Sequence, residues 1–245
     1  IKLSKIKSMR IKRTDTSFTI DDFKINNKYQ YGQYTRNDND GPRTYNVKDK
    51  KVPSVTTILS GTQSKQKAEA LDKWRERIGY EEAARITNQA ATRGTEMHYV
   101  LEQYMNGQGY LNLGGNGSQP RMMAHRIVEN LDKLSEVYGT EVSLAYEDQW
   151  AGSTDLVCVY DGKPTIADFK QSNKPKREEW IEDYYYQIAA YSLAHKKQYG
   201  EIVQGMILVC TKDLLFQRFM MNEEMLTEYE DKWFTRVEDY YKRSK

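Results

Sequence analysis

The sequence predicts an α/β chain, with a mixed central sheet flanked by helices and a β and helical extension ahead of it. Three observations predict it. Residues 139–245 alternate short apolar β-type runs with amphipathic helical ones, in the order strand, strand, strand, helix, strand, strand, helix. Residues 63–138 carry mostly helical spacing of their apolar side chains. Residues 14–50 are polar, rich in Tyr, Asn, Asp and Lys, and read as short strands and turns. A chain of 245 residues suits one large domain or a domain with an appended lobe. The natural division is 1–50 and 51–245, the latter split near 139.

The elements follow in order. Lys2, Lys5, Lys7, Arg10, Lys12 and Arg13 precede the first acid, Asp15. Three readings stay open for this segment: an arm that touches phosphate, a solvated terminus, or the tail of a transit peptide. The run Asn37, Asp38, Asn39, Asp40, Gly41, Pro42 marks a turn. Residues 52–59 form an apolar, β-branched run that ends at Gly61. From Lys65, the positions Ala68, Leu71, Trp74 and Ile78 recur at helical spacing, followed by Ala83, Ala84 and Ile86. A second helix is expected from near Thr92 to about Tyr104, and the Gly- and Asn-rich residues 106–120 a loop. An amphipathic helix is expected over 121–138, with Ile127, Leu131 and Leu134 on one face. Strands are then expected over 141–146, 152–160 and 164–170, the last two joined by a hairpin at Asp161 and Gly162. A helix over 178–199, strands over 202–211 and 215–221, and a helix over 223–242 complete the chain.

Composition excludes some functions and leaves others open. The net charge is only +2, so charge alone identifies no nucleic-acid partner. Nineteen Tyr against six Phe make the aromatic content polar, suited to half-buried rings or to stacking on bases. No apolar run approaches the roughly 18 residues a membrane helix needs, so no membrane association is expected. Cys158 and Cys210 both lie in apolar runs and read as core residues of a reducing compartment. Two cysteines cannot hold a four-cysteine iron–sulfur cluster or a structural zinc site.

The chemistry concentrates in three segments. If the hairpin is right, Asp155 and Asp168 lie on adjacent antiparallel strands and point to one side. Residues two apart on a strand share a face, so Lys170 joins Asp168 while Phe169 turns to the buried face. Two close carboxylates repel unless a cation lies between them, and hard oxygen ligands suit Mg²⁺ or Mn²⁺. An Asp-x-Lys by itself is equally an ordinary ion pair on a strand. His98 and Glu102, four apart on one helix face, are a ligand-compatible pair or a plain helix-stabilising contact. Gln187 and Tyr191 share a face in the same way, and Lys174, Lys176 and Arg177 extend a basic cluster from Lys170.

Taken in order, these pieces resemble the RecB-like branch of the PD-(D/E)XK nuclease superfamily. The pattern is a Gly-x-x-x-His-x-x-x-Glu helix (Gly94, His98, Glu102), a Gly-x-x-Asp strand (Gly152, Asp155), an Asp-x-Lys strand (Asp168, Lys170) and a Gln-x-x-x-Tyr helix (Gln187, Tyr191). Pro53-Ser54-Val55-Thr56, Trp74, the run 168–176 and Trp233 resemble that branch's single-strand DNA exonucleases of mitochondrial, phage and bacterial origin. The likeness covers about 51–245. It implies a restriction-endonuclease-like fold. Asp155, Asp168 and the Phe169 carbonyl would bind the metal, with His98 as a further ligand supported by Glu102 or Glu141. Lys170 would be the catalytic lysine. Gln187, Tyr191, Lys174, Lys176, Arg177, Ser172 and Arg93 would contact DNA. The helices between Gln63 and Met105 would roof a cleft that admits a single strand with a free end. Thr154 stands where the superfamily's name has proline, and Glu141, Glu147 and Asp148 compete for the early carboxylate.

The resemblance therefore implies a nuclease that uses Mg²⁺ or Mn²⁺ on single-stranded DNA, in replication, repair or recombination. No phosphate-binding Gly-x-x-x-x-Gly-Lys loop is present, so ATP is not expected. A monomer is expected, with replication or recombination proteins as candidate partners. The expected compartment is a bacterial cytoplasm or phage-infected host cell, the alternative the mitochondrial matrix. The rival readings are a single-strand-binding module and a recruitment protein without turnover.

Overall fold

The computed structural model describes residues 23–39, 41–108 and 117–244, and the backbone of residues 17–18 and 111–112. The basic cluster at residues 2–13, Asp40 and the centre of the 106–120 loop lie outside the described residues. The elements are β1 (Ser17–Phe18), β2 (Lys24–Ile25), β3 (Thr35–Asn37), β4 (Thr44–Val47), β5 (Lys50–Pro53), α1 (Val55–Gly61), α2 (Lys65–Ile78), α3 (Tyr80–Met105), β6 (Leu111–Asn112) and α4 (Gln119–Val128). They continue with β7 (Leu134–Tyr146), β8 (Trp150–Tyr160), β9 (Lys163–Ser172), a short 3-10 turn (Glu178–Trp180), α5 (Glu182–Gln198), β10 (Gln204–Thr211), β11 (Phe216–Met221) and α6 (Glu223–Arg243).

A six-stranded mixed sheet runs in the order β11-β10-β9-β8-β7-β2. The pairs β2–β7 and β9–β10 are parallel and the others antiparallel. Asp161 (φ 52) and Gly162 (φ 76) are both left-handed, as a tight hairpin requires, and close β8 onto β9 as expected. Alternation along the strands sends side chains to two cores. Val157, Ile166, Ile207 and Val209 pack with α1, α5 and α6. Leu156, Cys158, Phe169, Leu208 and Cys210 pack with α3 and α4. Both cysteines are free and buried. On the first face Trp150 stacks on Tyr146 (centroids 4.3 Å apart, 3° between planes) and meets Trp233 edge-on. Among the described residues no helix is long and apolar enough to cross a membrane.

Three expectations are corrected. The helical block breaks at Gly79 (φ 88), not near Thr92, and one helix runs unbroken from Tyr80 to Met105. The break falls where glycine tolerates a left-handed backbone. The helix expected over 121–138 stops at Val128, where the Asn130 side chain donates to the Arg126 carbonyl. Leu131 and Leu134 are buried as expected, but Leu134 opens β7, which reaches back to pair with the end of β8 across two bulges. Residues 52–59 change from strand to helix at Ser54, whose hydroxyl accepts the Thr57 N–H as an N-cap.

A separate three-stranded sheet, β3-β4-β5, is antiparallel throughout. Tyr45, Val47 and Val52 bury against Ala145 and Ala151 of β7 and β8, and Ser54 bridges Ala151. This docking sets the small sheet over the N-terminal end of β8.

Candidate active site

The central sheet forks. The β8–β9 ladder runs from Tyr160 opposite Lys163 to Leu156 opposite Ala167. Beyond that rung β8 continues beside β7, while β9 continues beside β10. The row at the fork reads Thr140, Leu156, Ala167 across three strands. One residue further along come Glu141, Asp155 and Asp168, so three carboxylates gather where the sheet opens. Asp155 Oδ2 accepts the Phe169 N–H at 2.6 Å.

Alternation on β9 works as expected. Phe169 is buried with Met97 and Leu101, and Asp168 and Lys170 face the other way. Lys170 Nζ lies 2.6 Å from Asp168 Oδ2 and 4.9 Å from the Tyr184 ring centroid. Apart from that ammonium, Asp168 Oδ2 is buried with no hydrogen-bond partner among the described residues. His98 of α3 reaches over the Phe169 ring edge and sets Nδ1 3.3 Å from Asp155 Oδ1.

Of Glu141, Glu147 and Asp148, Glu141 is the one that lines this cavity. Its backbone is left-handed (φ 45), uncommon for a glutamate within a strand. Ser153 donates to its Oε2 at 3.3 Å. Glu147 and Asp148 turn away to Lys197 and Lys50. His98, Glu141 and Asp155 each offer a ligand atom, all within 4.8 Å of one another. Glu102 supplies none of these atoms, and its charge bears on Glu141.

The electrostatics are those of crowded acids. Burial pulls the His98 imidazolium down, but the charge and hydrogen bond of Asp155, with Asp168 behind, push it up to about 9. Burial opposes ionisation of Asp155, yet His98, Lys170 and the Phe169 amide hold it below the usual carboxylate range. Asp168 is pushed up to about 6 by burial, its Lys170 partner outweighed. Glu141 is open to solvent at the cavity mouth, yet protein crowds its carboxyl. That desolvation, then the Asp155 charge, pushes it up to about 7. Lys170 is raised: its two carboxylate neighbours overcome the cost of burial.

A cavity of ≈ 300 Å³ holds His98, Glu141, Asp155, Asp168 and Lys170. From α5, Gln187 and Tyr191, one helical turn apart, line it too. Gly152 is needed there, because a Cβ would lie 2.7 Å from the Tyr191 ring. Sequence reasoning missed the opposite wall, made by Arg36, Arg43, Tyr45, Ser54 and Thr56. The local signals were two arginines flanking a turn and the Pro53-Ser54-Val55-Thr56 run, which carried the resemblance but no assigned role.

A second cavity, ≈ 850 Å³, opens between α2–α3 and the loop after β9. Arg93, Ser172, Lys174 and Lys176 line it, with Trp74, Trp180 and Tyr184 among them. Arg93 ties the two sides together by donating to Gln171 Oε1 (3.0 and 2.8 Å) and to Asn173. Ser172 spends its hydroxyl on the Lys174 carbonyl. Arg177 stays outside both cavities, paired with Glu179 and lying over Trp180.

No family model matches the chain. The curated proteins it resembles are named as exonucleases. Mitochondrial genome maintenance exonuclease 1 of Mus musculus is 29% identical over 236 residues, covering 91% of this chain and 69% of that protein. The protein of the same name from Homo sapiens is 28% identical over 206 residues, 79% of this chain and 59% of that one. The chain thus spans between about three fifths and seven tenths of the length of these relatives. A solved structure from Eubacterium rectale aligns with a TM-score of 0.42 and 14% identity over 62% of this chain and 67% of that one, too slight a likeness to argue from.

Proposed function

We propose that this chain hydrolyses phosphodiester bonds of single-stranded DNA, acting from free ends with Mg²⁺ or Mn²⁺. The observation that carries the reading is the fork: Glu141, Asp155 and Asp168, His98 and Lys170 share one cavity beside a basic, aromatic second cavity. Similarity to proteins named exonucleases supports it.

The residues fit a divalent ion. Three ligand atoms of mixed N and O type lie within 4.8 Å, and the Asp168 carboxylate, paired with Lys170 through Oδ2, lines the same cavity. His98, Glu141 and Asp155 would hold the ion, joined by Asp168 and the Phe169 carbonyl. Such an ion lowers the pKa of a bound water and polarises a phosphoryl oxygen. Asp155 is held in place by the Phe169 amide, so its second oxygen is pre-aimed. Lys170 keeps its proton and presents a fixed ammonium to charge that develops on the phosphate. Gln187 and Tyr191 position the backbone at the scissile phosphate. Lys174, Lys176 and Arg93 bear on the phosphates of the strand in the larger cavity, and Trp74, Trp180 and Tyr184 offer faces for bases. Arg177 serves as a rim contact. The helices α2 and α3 form the roof over this path, and the relatives' names point to DNA maintenance as the setting.

The test uses labelled linear and circular single strands with Mg²⁺, with chelator, and with Asp168→Ala. Metal-dependent loss of the linear strand alone supports the reading. Loss of both forms makes the protein an endonuclease. Binding without cleavage in any divalent metal overturns it in favour of a binding module.

A further inference from the structure

The wall that faces the fork carries charge that the proposed reaction has not used. Arg36 and Arg43 line the ≈ 300 Å³ cavity together with the acids and Lys170. They come from β3 and the start of β4, docked over β8 by the Tyr45, Val52 and Ala151 packing. Both are held by one carboxylate. Arg36 Nε donates to Asp38 Oδ2 at 2.6 Å, and Arg43 Nε donates to Asp38 Oδ1 at 2.9 Å. Among the described residues Asp38 thus orients two guanidinium groups and balances one of them, leaving a net charge of +1 on this wall. Arg43 is bound there through Nε, and among the described residues its Nη ends have no carboxylate partner.

The rest of the cavity needs such a wall. Glu141, Asp155 and Asp168 repel a phosphodiester, and Lys170 is already paired with Asp168. A guanidinium offers a planar fork that matches phosphate oxygens, and an oriented one loses little freedom on binding. The cavity volume lies at the bottom of the range for ligand pockets, about 300–1,000 Å³, so it suits one nucleotide unit rather than a long stretch of strand.

We propose that Arg36 and Arg43, aligned by Asp38, clamp the phosphate adjacent to the scissile one and so set which bond of the strand is cut. This rests on the nuclease reading above and adds a specificity element to the same site. Asp38 is a positioning residue that acts through the arginines.

The experiment places a single uncharged methylphosphonate linkage at successive positions along a single-stranded oligonucleotide. Cleavage in Mg²⁺ is compared between the unaltered protein and the Arg36→Gln, Arg43→Gln double variant. The unaltered protein should lose about 10- to 100-fold in kcat/KM at one linkage next to the cut bond. The double variant should be slowed on the fully charged strand by a similar factor, and the methylphosphonate at that linkage should slow it no further. A merely structural role for the arginines would give independent, additive losses, and additive losses at every linkage overturn the clamp. Binding of the same labelled oligonucleotide in Ca²⁺ separates the two readings. Loss of the pair should flatten the log–log salt dependence by about 0.7, one single-strand phosphate contact. A protein that never cleaves but shows this flattening keeps the phosphate contact of the two arginines and loses the nuclease reading, and with it their part in choosing the cut bond. Cleavage with an unchanged slope and additive losses does the reverse.

Discussion

Asp155 accepts the backbone N–H of Phe169 through its side chain, at 2.6 Å, at the point where the β8–β9 ladder stops. The carboxylate takes the place of a carbonyl partner, so the strands can part without orphaning that amide. One oxygen is structural and the other faces His98 at 3.3 Å. The same side chain therefore holds the fork and turns a carboxylate oxygen to His98 and the cavity.

That double duty predicts a separation of effects. Mg²⁺ or Mn²⁺ should raise the melting temperature, by about 2.7 kcal/mol of stability at a concentration 100 times the dissociation constant. Asp155→Asn keeps an oxygen for Phe169 but not the charge, so it should stay folded and lose the metal-induced shift. Asp155→Ala should lose the shift and also about 1–3 kcal/mol, because the Phe169 amide is left without a partner. Thermal melts with metal and with chelator check this, and an undiminished shift in Asp155→Asn would refute the ligand role.

Much of this site was legible locally. The Asp161 and Gly162 turn sets the β8–β9 register, and the register alone puts Asp155 beside Asp168. Period-two alternation then puts Lys170 with Asp168 and Phe169 behind them. Glu141 was not legible as the chosen carboxylate. Its place depends on a left-handed backbone in β7 and on how far that strand runs. Leu131 and Leu134 fit a helical stripe as well as the end of a turn and a strand, and the longer pattern misled. Arg36 and Arg43 reach the site only because a separate small sheet docks on β8, a contact that spans more than a hundred residues and leaves no periodic trace.

Gly152 and Tyr191 supply the next prediction. A Cβ at position 152 would lie 2.7 Å from the ring, which is itself buried. Gly152→Ala should cost about 1–3 kcal/mol through overpacking. It should lower kcat at least about tenfold, since a small misplacement in a site is amplified in rate. Tyr191→Phe, which keeps the ring and removes the hydroxyl, should melt close to the parent while losing part of the same activity. Melting curves and steady-state kinetics decide, and full activity in Gly152→Ala would remove Tyr191 from the site.

Arg93 links the α3 helix to the loop after β9 through a forked contact with Gln171 and Asn173. Lysine cannot reproduce the fork. Arg93→Lys should therefore raise KM for single strands several-fold with less change in kcat. The expected cause is a looser wall of the larger cavity. A fall in kcat with KM unchanged would instead assign Arg93 to the reaction itself.

The last prediction concerns stability and pH, away from the acids. His195 is fully buried, accepts from the Tyr31 hydroxyl at Nε2 (3.0 Å) and donates Nδ1–H to the Gly200 carbonyl (2.7 Å). Both contacts suit the neutral ring with its proton on Nδ1. Burial holds its pKa below the ordinary value of 6.5, outweighing the Gly200 carbonyl. The unfolded chain therefore takes up a proton at a higher pH than the native chain does. The stability contributed by neutral His195 is complete above about pH 6.5 and is lost as pH falls through the native value. The unfolding free energy should decline on acidification with a His195 share approaching ~1.4 kcal/mol per pH unit, the limit for one proton. His195→Gln should be less stable at pH 8 yet show a flatter acid limb. Denaturant melts between pH 8 and pH 5 measure both slopes. Equal slopes in the two proteins would mean that His195 takes up its proton in the folded state, and that the Tyr31 contact does not require the neutral ring.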